Sequence, residues 1–311
     1  MSDTTILDDY ISKYSRWGKW GENDQLGAMN LVGPEQVRAA AALVCDGKVI
    51  SLTLPYDQRG PQPGGMRSNP QLVATATGTD VLAGAQRAFL GDFGYSDDMV
   101  IMGTQCGTQW DSLAHIFHKG KMWNGYSAGE HTSNGAARNG IQHWSDKLVL
   151  RGVLADVAAH HGVDSLEDGY PITVEDLKAT LAAQGSTVAP GDALLVRTGQ
   201  LGARRHDWSS YAGGDAPGLS LHTAPWLYDQ QIAAVATDTW GMEVRPNEID
   251  AFQPLHQVIL VHMGLAVGEI FDLDALAEDC AADGRYEFML AATPLNITGA
   301  VGSPVGAVAI K

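Results

Sequence analysis

The chain has 311 residues, 45% of them hydrophobic and 18% charged, an ordinary globular composition with enough length for a sizeable core, which excludes a disordered chain. A formal net charge of −16 argues against a nucleic-acid partner, because phosphate binding needs clustered Lys and Arg and the sequence offers just the short Arg204-Arg205 pair. No apolar run reaches the ~18 residues of a membrane span, and the polar Met1-Ser2-Asp3-Thr4-Thr5 start has neither the basic nor the apolar region of a signal peptide. A cytoplasmic protein with no membrane partner is therefore expected.

Residues 1–311 read as a single domain with an N-terminal arm to about residue 33, in which Trp17 and Trp20 are expected to pack onto the body. Pro34 at a first helical turn, followed by Glu35 to Val44 and closed by Gly47, marks a helix. Val49 to Pro55 reads as a strand. Residues 57–71 form a Gly/Pro-rich loop without periodicity, a type that is usually functional or mobile, with a plain surface excursion as the alternative; Arg59 and Arg67 are the cations it could carry to a pocket. Met99-Val100-Ile101-Met102 then reads as a buried strand.

The next segment, Gln105-Cys106-Gly107-Thr108-Gln109-Trp110-Asp111-Ser112-Leu113-Ala114-His115, puts six polar side chains and a thiol into eleven residues, and the chemistry is expected here. Gly107 allows a bend at which Gln105, Gln109, Asp111 and His115 could converge, and in a helix Asp111 and His115 would share a face. The glycine-rich residues 125–141 look like a loop lying over that site. Leu148 to Val157 reads as a strand, followed by His160-His161, two neighbours that cannot easily share a metal. Thr173 caps a helix running to Ala183, Pro190-Gly191-Asp192 leads into a strand from Ala193, Ala224 to Leu227 opens a helix, and Ile232 to Asp238 is a strand. Strand, helix, strand at this spacing indicates an α/β protein. Glu243, His256 and Glu269 follow, and Pro294 to Ile297 with Ser303 to Ile310 are expected to supply closing strands.

The central segment resembles the signature of the cyclase family, the kynurenine formamidase-like and isatin hydrolase-like amide and lactone hydrolases, which reads His-x-Gly-Thr-His-x-Asp-x-Pro-x-His. Gly107, Thr108, Asp111 and His115 match it. Gln105 and Gln109 stand where the family has two metal-ligating histidines, and Leu113 where it usually has proline. The resemblance runs from about Trp17 to the C-terminus and includes Pro190-Gly191-Asp192, Arg197-Thr198-Gly199, Gly218-Leu219-Ser220, and His256 followed by Glu269. It implies a mixed sheet curled into a barrel-like core with flanking helices, a homodimer or homotetramer, and a small-molecule substrate. It also implies a metal site completed by His256 and Glu269, with His115 as acid and base in opening a C–N or C–O bond of a small cyclic amide, lactone or N-formyl compound.

Such hydrolysis needs an activated nucleophile, a proton for the leaving group and a partner for the oxyanion. In a metal version Asp111, His256 and Glu269 are the ligands, with the amide oxygens of Gln109 and Gln105 filling the shell; this set suits Mn²⁺, Mg²⁺ or Ca²⁺ better than Zn²⁺, and a site without metal is the alternative. Without metal, Asp111 could orient His115 through a hydrogen bond. Gln105, Gln109, Trp110 and Cys106 are the expected substrate-binding residues. Cys106 also offers a thiol nucleophile if a cation lowers its pKa, against the alternative of a small buried apolar residue. The two glutamines leave open a metal-free lyase or isomerase, and a non-catalytic small-molecule binding protein. Cys45, Cys106 and Cys280 are too few and too widely spaced for a disulfide framework, and His118, His131, His143, His206, His222 and His262 have no ligand spacing and read as structural.

Overall fold

Four mainly apolar runs, Val149–Asp156, Ala193–Arg197, Ala234–Thr237 and Ala266–Glu269, lie side by side as parallel strands in the computed structural model, which describes residues 3–65, 67–208 and 210–311. Met1 and Ser2 of the N-terminal arm and Met66 of the Gly/Pro-rich loop lie outside the described residues. These strands are buried on both faces, which is why they read as continuous apolar runs rather than alternating ones. Each fully buried leucine or valine among them contributes about 1.5–3 kcal/mol.

Antiparallel strands extend this core at both edges. Beyond Val149–Asp156 come Glu287–Ala291, Val308–Ile310 and Val49–Ser51; beyond Ala266–Glu269 come Gln109–Asp111 and Gly302–Pro304. The resulting nine-stranded mixed sheet curls into a half-barrel flanked by helices, the architecture expected from the resemblance. Helix Val174–Ala183 starts as the sequence predicts: Thr173 Oγ1 accepts from the Asp176 amide at 3.1 Å, and the Asp176 carboxylate accepts from the Thr173 amide at 2.8 Å. Trp17 fastens the N-terminal segment as expected, donating from Nε1 to the Val261 carbonyl at 2.7 Å and stacking on His262. No helix among the described residues is long and apolar enough to cross a membrane.

Several expectations are corrected. The helix from Pro34 stops at Ala41, and the strand expected over residues 49–55 covers Val49–Ser51. Pro294 to Ile297 form no strand, whereas Glu287–Ala291 do. The largest difference is at Met99 to Ile101. They are in a strand, Asp97–Ile101, but it pairs just with Gln71–Ala76 in a separate two-stranded ribbon, and Met99, Val100 and Ile101 are 47–53% exposed. An apolar run signals extended backbone, but burial requires another layer to reach over it, and none among the described residues covers these side chains.

Candidate active site

Strand Gln109–Asp111 is held between Ala266–Glu269 and Gly302–Pro304, so the central segment passes through the main sheet as strand rather than as helix. Thr108 pins its start: Oγ1 donates to the Ile270 carbonyl at 2.6 Å and accepts from the Leu54 amide at 2.8 Å. Gly107 is required by close approach, since a Cβ there would lie 2.7 Å from the Tyr56 ring. Alternation along the strand sends Trp110 to the opposite face from Gln109 and Asp111. Trp110 is fully buried, donates from Nε1 to the Ala292 carbonyl at 2.8 Å and meets Phe271 edge-on, so the expected contact with substrate is replaced by a core role.

The register places Glu269 opposite Gln109, whose Nε2 donates to Glu269 Oε2 at 2.8 Å. His256 comes from the short helix Pro254–His256. Glu243 accepts from His256 Nδ1 at 2.6 Å and from the amides of Leu255 and His256 at 3.1 and 2.9 Å, capping that turn and aiming His256 Nε2 at Glu269 Oε1, 3.3 Å away. One donor atom each from Asp111, His256 and Glu269 lie within 4.8 Å of one another, and all three residues are buried. His115 Nε2 is 3.8 Å from Asp111 Oδ1, brought there by a turn in which the His115 amide donates to the Ser112 carbonyl.

Burial sets the charges. It depresses the His115 pKa below 6.5 against the opposing pull of Asp111, with the Arg67 charge adding to the depression. It raises Asp111 to about 6, opposed by the His115 charge. Burial also works against a charged His256, but hydrogen bonds and charge from Glu243 and Glu269 prevail and hold it at about 10. Asp111 Oδ1 and Gln109 Oε1 are buried without hydrogen-bond partners. Unsatisfied buried oxygens are costly, and Asp111 Oδ1, on a residue that clusters with the His256 imidazole and the Glu269 carboxylate, belongs to a donor set that fits a hard divalent cation.

These residues floor a cleft of about 540 Å³. One wall is the Gly/Pro-rich loop, through Gln62, Pro63, Gly64 and Arg67; the other carries Ala212, Gly213, Trp240, Phe252 and Gln253. The loop is therefore part of the site. Residues 125–141 contribute no lining residue to the cleft, although the His131 charge reaches His115; they carry the small hairpin His131–Thr132 with Gly135–Ala136, tied to Gly299 by the Ala136 amide. Gln105, Gln109 and Cys106, expected against the substrate, are also off the cleft wall. Gln105 Oε1 accepts from Thr104 and Gln109 lies behind Glu269. Cys106 is buried, its carbonyl accepts from Gln62 Nε2, and burial raises its thiol pKa, the reverse of what a nucleophile needs.

The sequence singled out Glu243, an isolated acid in Gly241-Met242-Glu243-Val244, without giving it a role, and the aromatic lining of Trp240 and Phe252 had no signal in it. The Arg245 guanidinium sits 5.3 Å from the Trp240 ring and 4.8 Å from the Phe252 ring.

Comparison with known proteins bears on the fold and the family. A crystal structure described as that of a novel cyclase superposes with a TM-score of 0.88 at 38% identity, over 96% of this chain and 100% of that one. Isatin hydrolase A from Labrenzia aggregata, bound to benzyl benzoate, gives a TM-score of 0.62 at 18% identity over 88% of this chain and 97% of its own. A "predicted metal-dependent hydrolase" from Bacillus stearothermophilus gives 0.53 at 19%, over 84% and 97%. At these lower identities the likeness is one of fold. No curated protein matches the sequence. The Cyclase family profile matches residues 50–244, a span that holds the central segment and Glu243, and the chain belongs to the cyclase family.

Proposed function

We propose that this protein is a hydrolase that adds water to a carbonyl carbon of a small cyclic amide, lactone or N-formyl compound and breaks its C–N or C–O bond. The observation that carries this reading is the placement of His115, 3.8 Å from Asp111, on the floor of a cleft beside the buried Asp111, His256 and Glu269 cluster.

His115 is neutral near pH 7, because burial disfavours its charged form. A neutral ring can take the proton of the attacking water as the new C–O bond forms, and return it to the leaving nitrogen or oxygen as the old bond breaks, so one water is consumed and the base is regenerated. Asp111 stabilises the transient imidazolium. Asp111, His256 and Glu269 are the residues that would hold a divalent cation, with Glu243 fixing the His256 ring. When bound, that cation would polarise the carbonyl and acidify water. With one imidazole and otherwise oxygen donors, the set suits Mn²⁺, Mg²⁺ or Ca²⁺ better than Zn²⁺.

The test is turnover of isatin, dihydrocoumarin and an N-formyl arylamine by purified protein, before and after chelation and with added Mn²⁺. Hydrolysis of at least one, reduced by chelation and restored by the ion, is expected. Binding without turnover across the panel would instead leave a non-catalytic binding protein.

We also propose that a second copy of this chain covers the ribbon of Gln71–Ala76 and Asp97–Ile101. Leu72, Val73, Met99, Val100 and Ile101 are all exposed, and successive residues face opposite sides, so the ribbon is apolar on both faces. A protrusion of that kind fits reciprocal packing between identical chains better than a one-sided contact. Light scattering should give a dimer or larger, reduced to monomer by Val100→Glu with Leu72→Glu; a monomeric wild-type protein would end this reading.

A further inference from the structure

Within the cleft the charges are unevenly matched. Asp111 and Glu269 face His256 and His115, and His256 is further held by Glu243. Arg67, in the lining loop, has no ion pair among the described residues, and its one hydrogen bond to them runs from Nη1 to the Gln105 carbonyl at a long 3.4 Å. Its charge is close enough to bear on both Asp111 and His115. A guanidinium in a part-buried wall, with most of its five donors unused, is a fork suited to a carboxylate. The same cleft is lined by the Trp240 and Phe252 rings, which the Arg245 guanidinium contacts, and Ile116 adds apolar surface. Arg59, the other cation of the loop, does not line the cleft.

We propose that Arg67 is a carboxylate subsite, so that the molecules taken by this cleft are small amphipathic acids: a carboxylate on Arg67, an apolar ring or chain against Trp240 and Phe252, and the scissile carbonyl over His115. As a statement about substrates this rests on the hydrolase reading; as a statement about binding it does not. It also differs from a role for Arg67 in holding the oxyanion, which would require no charge on the substrate.

The binding test uses chelator-treated protein and two isosteric probes, phenylacetate and phenylacetamide, titrated by calorimetry. Wild type should prefer phenylacetate by about 10- to 100-fold, the range of a charge-assisted hydrogen-bonded pair. Arg67→Gln should abolish that preference without changing phenylacetamide affinity or the melting temperature, and Arg67→Lys should restore part of it. No preference in wild type, or a preference that survives in Arg67→Gln, would overturn the subsite. With any hydrolysed ester or amide offered in acidic and neutral forms, Arg67→Gln should raise KM for the acid alone. An equal fall in kcat for both forms would assign Arg67 to the oxyanion and sink the proposal. Should wild type hydrolyse nothing, the hydrolase reading fails while the calorimetry still decides on Arg67.

Discussion

His115→Asn is expected to lower turnover by ~10²- to 10⁴-fold, the usual contribution of general acid and base catalysis, in a protein that still folds and still binds its substrate. Asparagine keeps a polar group at the cleft floor but cannot cycle a proton near neutral pH, so the loss should fall on kcat rather than on KM. The same assignment fixes the sign of the pH dependence. Burial depresses the His115 pKa, so its basic form persists to lower pH than an ordinary histidine's, and kcat/KM should fall on the acid side below 6.5. Cys106→Ser is the control, since a buried thiol with a raised pKa has no part in the reaction, and its rate should stay within a few-fold of wild type. A near-normal rate in His115→Asn, or a collapse in Cys106→Ser, would return the thiol mechanism to first place.

The second large effect is on cation binding, whose affinity is expected to rise about tenfold per pH unit between about 6 and 10. In the cation-free protein His256 carries a proton up to about 10, because Glu243 and Glu269 hold it against the cost of burial. A cation must displace that proton to use the ring nitrogen, so each ion bound near pH 8 releases about one proton. Asp111 is ionised above about 6 and protonated below it, so a second proton is displaced at lower pH and the dependence steepens. Titrating Mn²⁺ in buffers of different ionisation enthalpy measures the number directly. His256→Ala and Asp111→Asn should each reduce binding by several orders of magnitude. Affinity independent of pH would mean that the ion does not use His256, and the site would have to be redrawn.

Local signals in the sequence determined a large part of the fold. Thr173 and Asp176 start their helix through bonds between neighbours three residues apart, and the runs around Leu195 and Val235 become buried parallel strands because nearly all of their side chains are apolar. The cluster of polar side chains from Gln105 to His115 marked the segment whose Asp111 and His115 line the cleft, and the resemblance joined His256 and Glu269 to it.

What only the tertiary structure decided depends on partners far away in the chain. Gln109–Asp111 is a strand because Glu269 and Pro304 flank it, and that strand turns Trp110 into the core while Asp111 faces the cleft. Gln105 and Cys106 lie in the turn that precedes this strand, and their distant and local partners, Gln62 on the Cys106 carbonyl and Thr104 on Gln105, hold them off the cleft wall. Glu243 became the support of His256 because a turn 13 residues away folded back onto it. Met99, Val100 and Ile101 are apolar in sequence but exposed in the fold, since burial belongs to the layer above a strand and not to the strand itself.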